Sequence, residues 1–479
     1  MTARLREVLH TAAADVPAYP VYEQALATAR RHRRRTVLWA AAALVLLALA
    51  GAVLPLARTP AVGPAADAAA ALPDRVGAPP FGSLHATDRP RLGPASVIFT
   101  GQAPGLMHGD EGSIIAVVGA DADRYRIIKG EREALAGGDT VLSPDGRRVA
   151  FRSLSLTPRV EIVDLVSGRS RTVSSGVSGT VLTGPLGWSP DGRALLVGDA
   201  VPANPERSAY RGVVSIVWLD GERRTRLADG SEGFAWPAFA PDGARLAFQA
   251  ARTVTVTDLD GRRLSSFTLA PETELAGKGA WSTDGQALTV TRRDGDSWSL
   301  RRVDPSTGRD LGATDNPAVS GVTAIRLLGW AADGSAWVVA YYPAPDAPAA
   351  FDAPLELDQR LAYGNVGTVR VLTLGRGADV PTTLLTAPQD VVSIDVSNDV
   401  IRSGRTRGAS PPHGVGPRFW FWAVLITVLV AGFAAYRNRE GLALWLDNRR
   451  ARQARRPGGR SSRSQRLDNT RNGHGRPWD

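Results

Sequence analysis

The sequence predicts an all-β fold, a β-propeller of four-stranded blades, and three observations carry that prediction. A short phrase recurs five times, at residues 142–146 (LSPDG), 188–192 (WSPDG), 239–243 (FAPDG), 281–285 (WSTDG) and 330–334 (WAADG). The aspartates of these phrases, Asp145, Asp191, Asp242, Asp284 and Asp333, stand 46, 51, 42 and 49 residues apart. Between them, apolar and polar residues alternate at period two in short runs broken by turn residues. A repeat of that length, all strand and turn, is the pattern of propeller blades.

The third copy gives the order of elements. Residues 235–239 make a short strand, 240–243 a tight turn, and 245–249 the return strand. Proline presets φ at the first turn position, aspartate bonds to the backbone beyond it, and glycine accepts a positive φ. Residues 254–258 alternate as a third strand, Asp260-Gly261 turns, and 264–269 forms a fourth. One such blade cannot bury both faces, so blades must stack in a ring. The aromatic before each turn (Trp188, Phe239, Trp281, Trp330) is expected to fill the space between neighbours. No run of alternating oxygen ligands long enough for a calcium loop accompanies the Asp-Gly pairs.

Strands also lie outside the repeats, at 96–100, 113–118 and 124–128 before the first turn and at 391–396 after the last. A sixth blade built from both ends, with 391–396 innermost, would close the ring and remove its open edges. Six blades are therefore expected; seven would require a further blade ahead of residue 142. Residues 397–400 look like a decayed copy of the turn. Closure of this kind brings both chain ends out on the face carrying the Asp-Gly turns. The loops joining second to third strands project from the other face, and two are long, 198–212 and 342–365. Long loops in a compact domain are commonly functional. Tyr210 and Arg207 on the first, and Tyr342, Asp358, Arg360 and Tyr363 on the second, are the candidate partner-binding residues.

Two apolar runs flank the ring. Residues 36–57 are long enough to span a bilayer, and the polybasic run 30–35 precedes them. Residues 418–436 form the second run, opening on the aromatic cluster 419–422 that suits headgroup depth. Residues 1–35 hold seven arginines against three acids, and 437–479 hold twelve against four. These segments carry +4 and +8 of a net charge of +10, which leaves −2 for everything between. Basic flanks stay in the cytoplasm. The expected layout is a multi-pass plasma-membrane protein: cytosolic segment 1–35, transmembrane helix 36–57, Ala/Pro/Gly-rich linker 58–93, extracytoplasmic propeller 94–403, linker 404–417, transmembrane helix 418–436 and a basic cytosolic tail 437–479. A rival reading takes Arg34-Arg35 and the first apolar run as a cleaved export signal; the long leader and the lack of a small-x-small site argue against it. The ring has no electrostatic basis for nucleic-acid binding, so the expected partners are membrane lipid and a protein.

The chain has no cysteine, which excludes disulfides and thiol chemistry. Lysine occurs only at Lys129 and Lys278 against abundant arginine, a bias of high-GC genomes such as those of actinobacteria. No Gly-x-Ser-x-Gly elbow occurs, and the histidines do not pair at metal spacing. His108, with Asp110 and Glu111 on a glycine-rich loop, is the one cluster with acid-base chemistry; such a loop is more often solvated than catalytic. No cofactor is expected.

The phrase aromatic-Ser-Pro-Asp-Gly followed by an apolar strand resembles the repeat of TolB-like propellers, relatives of WD-repeat proteins, over residues 94–403. The resemblance implies a ring used as a protein-binding platform, and in some members as the accessory domain of a peptidase. The amino-terminal α/β domain of TolB has no counterpart here, and a second apolar run follows the ring. That layout is similar to two-span propeller proteins of actinobacteria, some of which look like partners of sigma-factor or anti-sigma systems. The sequence thus points to a non-enzymatic, membrane-anchored binding platform. The alternative is a sensor whose cytosolic amino terminus contacts a transcription regulator, and a hydrolase is the weaker third reading.

Overall fold

The structure is a computed structural model. It describes residues 70–437 apart from 104–105, 109–111, 131–133, 154, 156, 208, 222, 231–233 and 346–364. The expected cytosolic segment, the first apolar run and the basic tail beyond Arg437 lie outside the described residues, as do Asp110, Glu111, Asp358, Arg360 and Tyr363.

Six antiparallel sheets form the blades. Blade 1 runs Thr140–Leu142, Arg148–Arg152, Arg159–Asp164 and Ser170–Ser174. Blade 2 runs Leu182–Trp188, Ala194–Pro202, Tyr210–Trp218 and Arg224–Gly230. Blade 3 runs Phe234–Phe239, Arg245–Ala250, Thr253–Asp258 and Arg263–Thr268. Blade 4 has Thr273–Leu275, Leu288–Asp294, Ser297–Val303 and Asp310–Ala313, with Val319–Ser320 added on its third strand. Blade 5 has Ala324–Trp330, Ala336–Pro343, Val366–Leu374 and Thr382–Thr386. Each strand pairs with the next in sequence, as hairpin connections require.

Blade 6 is the expected composite. Its inner strand, Val391–Val396, pairs with Ala95–Gly101 in the register Val97↔Val396 and Phe99↔Ile394. Gly112–Gly119 and Tyr125–Gly130 complete it. The ring is therefore closed by hydrogen bonds between its two ends, and no blade edge is left open at the seam. All six residues of the inner strand are buried, including Ser393 and Asp395.

Residues 397–400 do not repeat the Asp-Gly turn. Val400 stands where the turn needs a glycine, so the positive-φ corner is closed to it. The chain instead forms a short helix, α1 (Asn398–Ser403), that buries Val400 and Ile401 and ends on Gly404 at φ 64°. The Asp399 amide donates to Pro144 O at 3.0 Å, and the Ala95 amide to Gly146 O at 2.8 Å. Both chain ends thus meet the ring at the level of the Asp-Gly turns, as the closure required.

Segments read from composition as linkers run side by side next to the ring. Leu72–Pro73 pairs in parallel with Thr406–Arg407. Isolated bridges join Arg75 to Thr386, Phe81 to Val415 and His85 to Ile127. Tyr125 of blade 6 accepts from the Gly77 amide at 3.1 Å, and burial pushes its phenol up to about 12. Leu72 and Val76 of the first segment pack into the ring's core while backbone groups supply the bonds, a pairing that an Ala/Pro/Gly-rich composition does not announce.

The second helix, α2 (Pro417–Arg437), has no charged residue between Arg418 and Arg437. Its large apolar side chains are exposed, among them Phe421, Trp422, Ile426, Leu429, Val430 and Phe433. Counted over the described residues alone, no helix is long and apolar enough to cross a membrane.

Candidate functional site

Each feature of the ring that could act chemically begins with the turns. Five turn glycines hold φ between 67° and 82°, so only the Asp-Gly order fits the corner. The aspartate Oδ1 accepts from the amide two residues on, at 2.8–3.0 Å, in all five blades. In blades 1, 2 and 4 the serine two residues earlier donates to the same oxygen at 2.6 Å. In blade 5, where Ala331 replaces that serine, Ser335 donates from the other side at 2.6 Å. Hydrogen bonds from Ser282 and the Gln286 amide hold the Asp284 carboxyl below its ordinary range; Ser335 does the same for Asp333 through its hydroxyl and amide. These carboxylates are occupied by their own corners.

The aromatics before the turns sit between blades as expected, and three of them also latch. The indole N–H of Trp188 donates to Val141 O, that of Trp281 to Ala238 O and that of Trp330 to Gly279 O, each a carbonyl of the preceding blade's inner segment, at 2.9–3.2 Å. Arg148 of blade 1 lies 5.5 Å over the Trp188 ring, and Arg245 of blade 3 lies 4.7 Å over Trp281. Cation–π contact thus joins blade 1 to 2 and blade 3 to 4.

A polar cluster at the seam escaped the sequence reading. The inner segment of blade 4 breaks after Leu275, and Gly277 holds φ at 125°. A Cβ on Gly279 would lie 2.5 Å from Gly329, so the close backbone approach of blade 5 requires glycine there. This break aims Lys278 at blade 6. Its ammonium lies 2.8 Å from Asp395 Oδ1 and donates to Val396 O at 2.5 Å. Burial lowers the Lys278 pKa, and Asp395 opposes that shift. Asp395 Oδ2 accepts from the Leu142 amide of blade 1 at 3.0 Å. Arg326, only 2% exposed, donates to Ile394 O at 2.5 Å, to Gly137 O at 2.8 Å, to Ala136 O at 3.2 Å and to Tyr341 Oη at 3.2 Å. Blades 4, 5, 6 and 1 are thereby joined through two cations and one carboxylate. The signal was present: Arg326 and Asp395 are charges inside otherwise apolar strands, and buried charges demand partners.

The opposite face carries the loops. Blades 3 and 4 close their second hairpin over Ala251-Arg252 and Gly295-Asp296 alone. Blade 2 differs: most of the expected loop 198–212 is strand, with Gly198 opposite Val214 and Pro202 opposite Tyr210, so only 203–209 is left to turn. The continuous buried run from Val213 to Val217 carries the ladder further than its glycines suggested. Arg207 sits in that turn at φ 54°, its amide bonded to Asn204 O at 3.2 Å, and Tyr210 is 47% exposed. Tyr342, expected at the head of the blade 5 loop, is instead a strand residue opposite Thr368, with Arg370 stacked 4.5 Å above its ring. His108 lies in the strand Met107–His108 of blade 6 and pairs with Gly112. In ring order blades 2 and 5 are three apart, so Tyr210 and Arg207 are not brought to Tyr342. Blades 5 and 6 are neighbours, joined where the Asp390 carbonyl accepts from Gln102 at 2.7 Å and its amide donates to Gly367 O at 2.6 Å. Among the described residues, no group of three or more His, Asp or Glu side chains is placed to hold a metal ion.

Among solved structures, the chain is similar to TolB from Acinetobacter baumannii, with 15% identity, a TM-score of 0.39, and 63% of this chain matched to 65% of that one. It is similar to an oligogalacturonate lyase in complex with manganese, at 14% identity and TM-score 0.38 over 62% of this chain and 80% of that one. It is also similar to a putative TolB from Agrobacterium tumefaciens, at 15% identity and TM-score 0.35 over 63% and 98%. The match thus spans 65% of the Acinetobacter protein's length. No family model matches the chain, and no curated protein matches it. The assignment of six four-stranded blades rests on the sheets themselves.

Proposed function

We propose that the ring is a non-enzymatic binding platform held outside the cytoplasm by two membrane anchors, and that it takes a protein partner on the face opposite its tethers. One observation carries the reading, the asymmetry of the two faces. The Asp-Gly face is consumed by uniform corners, by α1 and by both tethers. The other face carries loops that differ from blade to blade, and variable loops on a rigid scaffold are where binding residues concentrate. The anchors are residues 36–57 and α2. The reading of α2 as an anchor rests on the sequence, which carries no charge between Arg418 and Arg437. The exposed apolar side chains of α2 support a lipid environment.

Deleting 346–363 and, separately, replacing Arg207 and Tyr210 by alanine tests the platform. The expected result is loss of partners recovered by crosslinking in intact cells; an unchanged set of partners in both variants contradicts it. A second reading, the sensor, is favoured by the pairing of the two tethers through Leu72–Pro73 and Thr406–Arg407, since displacement of one passes to the other. It predicts a cytosolic partner that crosslinks to the amino-terminal segment and is lost on deleting 2–29.

A further inference from the structure

The tethers bring one unusual side chain to the head of α2. Residues 70–83 run alongside 403–419, and the chain then doubles back into blade 6 through the His85–Ile127 bridge. The apex of this strap is residues 79–82 (Pro-Pro-Phe-Gly). Phe81 there is 73% exposed, more than any other large hydrophobic side chain described.

This exposure is built rather than frayed. The Gly416 amide donates to Phe81 O at 2.6 Å, and the Arg418 amide to Gly82 O at 3.0 Å. The Ser83 hydroxyl and amide both donate to Pro80 O, at 2.7 and 3.0 Å. Gly82 holds φ at 79°, and a Cβ there would lie 2.6 Å from the Phe419 amide nitrogen, so the chain packs against the start of α2 as only glycine allows. Phe81 meets Phe419 edge to face, with ring centroids 6.1 Å apart, and Val415 beside it is also exposed. Arg418, the last charge before the uncharged stretch, pairs with Asp88 of the strap at 2.9 Å. An exposed apolar ring is thus held by backbone bonds beside Phe419, the first residue of the uncharged stretch of α2.

We propose that Phe81, with Val415 and Phe419, is an interfacial foot: it inserts into the headgroup layer of the bilayer that α2 enters and holds the Asp-Gly face of the ring close to that surface. This rests on the reading of α2 as a membrane anchor. Aromatic side chains favour headgroup depth, and Phe419 fixes that depth as the point where charge ends. The carboxy-terminal tether agrees: residues 404–416 reach at most about 45 Å even when fully extended, and their pairing with the strap shortens that reach. The segment 58–93, expected from composition to be a spacer, works in its described part as a short brace.

The absence of cysteine makes the test direct. Phe81→Cys in the full chain, carrying an environment-sensitive thiol probe, is reconstituted in phosphatidylcholine vesicles beside a Tyr210→Cys control labelled in the same way. The expected result is blue-shifted emission at position 81, quenched several-fold more strongly by lipids spin-labelled near the headgroup than the probe at 210. Equal, water-like emission at both positions, from protein that stays with the vesicles after alkaline carbonate extraction, overturns the foot while leaving the anchor. Release of the protein by carbonate overturns both. A Phe81→Ser chain carrying the same probe on Val415→Cys gives a second reading, since the foot predicts less quenching at 415 once its neighbour is polar; unchanged quenching counts against it.

Discussion

At one face of the ring, blades 1 to 5 turn through the same Asp-Gly corner, with the same carboxylate-to-amide bond in each. At the other, blades 3 and 4 turn over two residues while blade 2 extends to nine-residue strands before it turns. The first face is fixed by local chemistry within a few residues. The second differs from blade to blade, from two-residue turns in blades 3 and 4 to the seven-residue turn 203–209 of blade 2. A scaffold built this way separates stability from recognition: substitutions at the corners and seam should move stability, and substitutions at the loops should move binding.

The largest expected effect is at the seam. Asp395→Ala removes the partner of Lys278, whose side chain is only 24% exposed, and the acceptor of the Leu142 amide. Breaking a largely buried pair from one side should cost about 3 kcal/mol, read as a lowered denaturation midpoint of the detergent-solubilised chain. A loss under about 0.5 kcal/mol would mean that the seam does not hold the ring. Next comes the latch: Trp281→Phe keeps most of the packing but removes the donor to Ala238 O and weakens the contact with Arg245. A loss of about 1–2 kcal/mol is expected, measured in the same way.

The corners should respond to acid. The Asp284 and Asp333 carboxyls are lowered by hydrogen bonds made only in the fold. A depressed folded-state pKa stabilises fully above the ordinary carboxylate value near 3.8, and that stabilisation is lost as pH falls through the lower folded values. Unfolding midpoints should therefore drop below about pH 4. Asp284→Asn combined with Asp333→Asn should shallow that drop; an identical acid profile would contradict the assignment. The smallest effect belongs to the loop face. Tyr210→Ala should change stability by less than about 0.5 kcal/mol. Arg207→Gly should be neutral or slightly stabilising, because φ is already positive there.

The same contrast explains what was legible in the sequence. The corners announce themselves because Pro-Asp-Gly chemistry is local, and the alternating runs after them give each blade its strands. Closure through Val391–Val396 followed from the need to pair a lone strand. The helix α1 was missed because residues 397–400 imitate the turn and only Val400 in place of glycine betrays them. The seam was missed because Lys278, Arg326 and Asp395 are far apart in sequence, and nothing local says that they meet. Of the candidate binding residues, Arg207 lies in a turn on the loop the sequence assigned it to, whereas Tyr210 and Tyr342, both set in loops, are strand residues paired with Pro202 and Thr368.

The platform reading depends on the loop face lying outside the bilayer and open to solvent. Tyr210→Cys in the full chain, treated in intact cells with a membrane-impermeant thiol reagent, tests this most directly. The account predicts labelling at 210 without permeabilisation, and none for a cysteine placed in residues 1–35 until the membrane is opened. Labelling at 210 only after permeabilisation would put the ring in the cytoplasm and contradict the account.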